Sequence, residues 1–113
     1  MVKVRFGYSI GADANRGPYK CNYEGTYNNN DYGIDQLRAD CMNVRHNLQA
    51  QQGARMSQDV FKKFDDMVVD MCEAFRIVIC STTNRTVMKL RRQCTNKENG
   101  VVFHFYSDIR IEG

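Results

Sequence analysis

The hydrophobic period of this chain changes twice, from two to between three and four and back to two, and that change dictates the class of fold. Val2, Val4, Phe6, Tyr8 and Ile10 alternate with Lys3, Arg5, Gly7 and Ser9, the pattern of a strand with one buried and one wet face. From Ile34 the apolar residues step instead as Ile34, Leu37, Cys41, Val44 and Leu48, and later as Phe61, Phe64, Val68, Met71, Phe75 and Val78, each a stripe down one side of a helix. After Asn99-Gly100, a strong turn signal, Val101, Phe103, Phe105, Ser107, Ile109 and Ile111 alternate with Val102, His104, Tyr106, Asp108, Arg110 and Glu112. Strands at both ends and helices between them require the oily side of a sheet to pack on the helices, the α+β arrangement.

Turn and cap residues set the boundaries. Gly11 to Pro18 is dense in turn formers, so the first strand should return as a hairpin through a second strand at Tyr19–Tyr27. Asn28 to Asp31 supplies candidate caps for the first helix, which should end near Gly53, and Ser57 precedes the second. Beyond Val78 the second stripe fails: its continuation would bury Thr82 and Arg85, whereas Cys80, Val87, Leu90 and Cys94 lie on a stripe displaced by two positions. This predicts a break near 81–84, with a third helical piece capped by Thr83 or Asn84 favoured over a bend. A buried strand over Phe75 to Thr83 is the alternative, because Ile77, Val78 and Ile79 favour strands. The predicted order is ββαα(α)β: a small antiparallel sheet, made of the N-terminal hairpin and the C-terminal strand, on two long helices. It forms a single domain spanning 1–113. So few strands leave open edges and an uncovered face, which favours a homodimer.

The totals narrow the class. With 113 residues, 42% of them hydrophobic and 26% charged, the chain is long enough to bury one core without a staple. The first ten residues lack the basic-then-apolar order of a secretion signal, and no apolar run reaches membrane-helix length. A cytoplasmic protein without membrane association is therefore expected. Five cysteines are an odd number, with no C-x-x-C pair and no zinc-like spacing, so they read as free buried thiols and not as disulfides or a metal site. The net charge of +3 leans toward anionic partners without requiring nucleic acid.

Two clusters carry the functional expectation. On the outward side of the alternating segments, Lys3, Arg5, Tyr106 and Arg110, with Lys20, Asn22 and His104, combine cations with rings, and such a face meets phosphate and stacks on bases. In the predicted last helix, Arg85, Lys89 and Arg92 at i, i+4 and i+7 project from one side with Arg91 beside them, a phosphate-binding patch. Arg16, in the glycine-flanked first loop, is a further candidate. Neither His46 nor His104 lies in a nucleophile or metal motif, and Asp65, Asp66, Asp70 and Glu73 fall on a polar helix face, so no catalytic group and no cofactor is predicted. The reading is a non-catalytic protein that captures a phosphate-bearing small molecule or short nucleic acid, as some phage proteins withdraw nucleotide signals. The alternative is a protein-interaction module or inhibitor acting through a sheet edge or a Met-rich helix surface.

Overall fold

The computed structural model describes residues 1–11, 19–53, 56–80, 86–98 and 100–111. Within them the elements are β1 (Val2–Gly11), β2 (Tyr19–Tyr27), α1 (Asp31–Gln52), α2 (Gln58–Ile79), β3 (Thr86–Asn96) and β4 (Val101–Ile111). The four strands form one antiparallel sheet in the order β2-β1-β4-β3. The α+β class, the N-terminal hairpin and the terminal strand all stand as the sequence predicts, and the first and last strands pair directly.

One prediction is corrected. The third helical piece does not exist, because Thr86–Asn96 is a strand that makes a second hairpin with β4. Its inward positions are Leu90, Arg92 and Cys94, so alternation is present but hidden: Arg92 occupies a core-side position, where its guanidinium pairs with Asp70 of α2. A cation in an apolar register erases the period of two and lets a helical period fit by coincidence. The turn that precedes β4 is the feature that recovers the strand. Gly100 takes φ 66°, its amide donates to the Asn96 carbonyl at 2.8 Å, and the Glu98 amide donates to Asn96 Oδ1 at 3.0 Å. A glycine turn of this kind closes a hairpin and needs a strand on both sides. The break foreseen at 81–84 lies outside the described residues, and α2 stays helical to Ile79, which removes the strand alternative there.

The helices begin and end where local chemistry directs. Asn30 caps α1, its Oδ1 accepting the Gly33 amide at 3.0 Å, and Gly53 closes it with φ 47°, a conformation that costs glycine little. Asp31–Arg76 at 3.6 Å and Arg45–Asp65 at 2.9 Å hold α1 and α2 antiparallel, with the Arg45 guanidinium 4.8 Å above the Phe61 ring. Both apolar stripes turn to the sheet. Val60, Phe64, Met67, Met71, Phe75 and Val78 of α2 and Ile34, Leu37, Cys41, Val44 and Leu48 of α1 join Val2, Val4, Phe6, Tyr8, Phe103, Phe105 and Ile109 in one core. Phe64 meets Phe105 edge-on at 5.3 Å. Tyr8 and Tyr27 enter this core with their hydroxyls satisfied by α1: Tyr8 donates to Gln51, and Tyr27 donates to Asp40 at 2.6 Å. With both helices on one face, no described element covers the opposite face of the sheet.

Candidate ligand-binding face

Antiparallel register arranges the uncovered face as cross-strand rows, because paired residues project to the same side. One row is Thr26, Lys3 and Arg110, and the next is Glu24, Arg5, Asp108 and Lys89. There follow Asn22, Gly7, Tyr106 and Arg91, and then Lys20, Ser9, His104 and Gln93. Lys3, Arg5, Tyr106 and Arg110 therefore share one surface.

The two ends of that surface differ in electrostatics. In the first two rows the cations are opposed by carboxylates: Glu24 meets Lys3 at 2.7 Å and Arg5 at 3.6 Å, and Asp108 meets Arg110 at 3.0 Å. The hydrogen bond from Lys3, and the charges of Lys3, Arg5 and Arg110, hold the Glu24 carboxyl below its ordinary range. The last two rows contain no carboxylate, and Lys20 and Arg91 form no ion pair with any described residue. This half forms an open cavity of about 680 Å³ bordered by Ser9, Lys20, Asn22, Arg91, Gln93, His104 and Tyr106. Tyr8, Phe105 and Arg92 border it too. The side chains of Tyr8 and Phe105 are buried in the core and that of Arg92 is tied to Asp70 on the helix side. A smaller hollow of about 190 Å³ lies alongside, between Arg5, Lys89, Arg91, Tyr106 and Asp108.

Tyr106 divides the two halves, and Gly7 sets its posture. The Tyr106 hydroxyl crosses β1 to donate to the Cys21 carbonyl of β2 at 3.3 Å, so the ring lies along the sheet over Gly7. A Cβ at position 7 would meet the Cys21 carbonyl and stand 2.8 Å from the Tyr106 hydroxyl. Glycine is required there by close approach and not by its torsion angles. Burial and the nearby Cys21 push the phenol of Tyr106 up, while the charges of Arg5 and Arg91, which border the same small hollow, pull it down.

The predicted residues thus separate. Lys89 and Arg91 lie on the outer face, where alternation along a strand puts them together. Arg92 points to the opposite side, so the patch built from Arg85, Lys89 and Arg92 on a helix is not formed. Arg85 and Arg16 lie outside the described residues. Lys3, Arg5 and Arg110 are on the face but compensated. Gln93 and Ser9 escaped the sequence reading, Gln93 because its segment was assigned to a helix, and the hairpin signal at Asn99-Gly100 would have exposed it. Among the described residues no group of three or more His, Cys, Asp or Glu side chains is placed to hold a metal ion, and no helix is long and apolar enough to cross a membrane. No family model, no curated protein and no solved structure matches the chain.

Proposed function

We propose that the uncovered face captures a phosphate-bearing ligand, a nucleotide signal or a short nucleic acid, and acts by holding it without transforming it. The observation that carries this reading is the carboxylate-free half of the face, where Lys20, Arg91 and His104 border a cavity together with Asn22, Gln93 and Ser9. Cations with no counter-charge among the described residues attract an anion without first breaking a bond, and amides and hydroxyls add directional hydrogen bonds. Charge is also segregated by element. The outer face of the sheet holds six cations, Lys3, Arg5, Lys20, Lys89, Arg91 and Arg110, against Glu24 and Asp108, whereas the helices hold eight carboxylates against five cations. The modest net charge therefore conceals a basic face and an acidic back, which orients an approaching anion.

All five cysteines are free thiols, which supports work in a reducing, intracellular compartment where nucleotides are abundant. A second copy would meet the first along the open edges of β2 and β3, and sedimentation of the purified protein tests that association. The same two edges favour a second reading, a protein-interaction module that recruits a partner strand. The other route to that reading is weakened, since Met56, Met67 and Met71 are buried and Met42 stands exposed without them.

The test is calorimetric titration with ATP at low and high salt, using wild type, a Lys20→Ala/Arg91→Ala double variant and Arg92→Ala. Affinity should fall at least about tenfold in the double variant, and steeply as salt rises, but stay near wild type in Arg92→Ala. Salt-independent binding, or equal loss in Arg92→Ala, would overturn the assignment. Native mass spectrometry of protein purified from its own host checks the ligand class without prior choice of probe.

A further inference from the structure

Resting on that reading, we propose that the ligand is a single free nucleotide whose base stacks on Tyr106, and not a polynucleotide laid along the sheet. The ring is a preformed platform: it lies over Gly7, and its hydroxyl is fastened to the Cys21 carbonyl two strands away. Little rotational freedom remains for the ligand to remove. The groups around it divide into two tasks. Arg91 and Asn22 share the ring's own row at its two ends, where a guanidinium and an amide reach the edges of a stacked base. Lys20 and His104 stand in the adjacent row, displaced along the strands by two residues, or about 7 Å. That offset carries the phosphate away from the base by the reach of one sugar.

Two features confine the ligand to one nucleotide. The cavity of about 680 Å³ falls within the range of about 300–1,000 Å³ that suits small molecules. In the other direction from Tyr106 the next row carries Glu24 and Asp108, so a second phosphate continuing past the ring would meet carboxylates already engaged with the local cations. Proteins that bind single strands need an unbroken cation track beneath successive rings; here His104 follows Tyr106 on one side, but on the other the track is interrupted by Glu24 and Asp108 one row beyond the tyrosine.

The experiment compares three probes on the intact protein: ATP, inorganic tripolyphosphate and a short mixed-sequence oligonucleotide, against wild type, Tyr106→Leu and Tyr106→Phe. Wild type should prefer ATP over tripolyphosphate by about tenfold or more, the size of one base–aromatic stack. Tyr106→Leu should erase that preference while tripolyphosphate affinity holds. Tyr106→Phe keeps the ring and should keep most of the preference; should the leucine variant fail to fold, the wild-type comparison of ATP with tripolyphosphate still tests the stacking role. Equal affinity of wild type for ATP and tripolyphosphate would remove the stacking role and leave phosphate capture standing. Affinity that climbs with oligonucleotide length would overturn the single-nucleotide assignment, and failure of all three probes to bind would overturn phosphate capture itself.

Discussion

Gly7 and Tyr106 act as a pair, since the ring can lie down only where its neighbour lacks a side chain. In Gly7→Ala the added methyl meets backbone at Cys21 and the Tyr106 hydroxyl, and strand backbone paired in the β1–β2 ladder does not move aside as a flexible side chain does. Overpacking of this kind costs about 1–3 kcal/mol, which denaturant unfolding should detect, and the tyrosine near-ultraviolet dichroism should change with it. Tyr106→Phe removes one hydrogen bond to a carbonyl and should cost about 1 kcal/mol. If Gly7→Ala were as stable as wild type, the ring would not be held where the hydrogen bond to Cys21 puts it.

At the level of elements, the two helix starts differ in a measurable way. Asn30 caps α1 through its side chain, whereas Ser57 precedes α2 without a side-chain bond to it. Asn30→Ala should therefore cost about 1 kcal/mol, and Ser57→Ala markedly less, in the same unfolding assay. The contact of β3 with α2 includes the half-exposed pair Arg92–Asp70, with 26% and 36% of the side chains accessible. Its net worth is near about 1 kcal/mol, because solvent screens it and both side chains are ordered to make it. Asp70→Ala should be the more damaging single change, since it strands Arg92, whose Nε is already buried without a hydrogen-bond partner. Arg92→Met, which restores apolar alternation to β3, should lie within about 1 kcal/mol of wild type. A double-mutant cycle on stability measures the coupling directly.

Across the whole molecule, the interface of sheet and helices is where pH should act. Burial, then Cys21, pushes the Tyr8 phenol up to about 12, burial and Asp40 push Tyr27 up further, and burial with Cys72 and Asp40 raises the Cys41 thiol. In each case the fold favours the neutral, protonated form. Their contribution is complete below the ordinary values of 9.0 for the thiol and 10.0 for the phenols, and it is lost as pH rises from there toward the raised values. The denaturation midpoint should hold level at neutral pH and decline through the alkaline range, and Tyr27→Phe should flatten the decline. A midpoint that stays level well above the ordinary phenol value would contradict the burial of these hydroxyls against α1.

Much of this architecture was legible because burial leaves a period in the sequence. The β1 alternation, the two helical stripes, the caps at Asn30 and Gly53 and the β4 alternation are local consequences of one face being apolar, and each appears where reading predicts it. The outward placement of Lys3, Arg5, Tyr106 and Arg110 follows from the same alternation. The identity of β3 was settled by tertiary structure, since Arg92 breaks the period at a position that is tolerable only because Asp70 of another element neutralises it. The make-up of the candidate site was decided the same way. Lys20, Tyr106 and Arg91 belong to three different strands, and strand order and register alone determine which cations meet a carboxylate and which remain beside an open cavity.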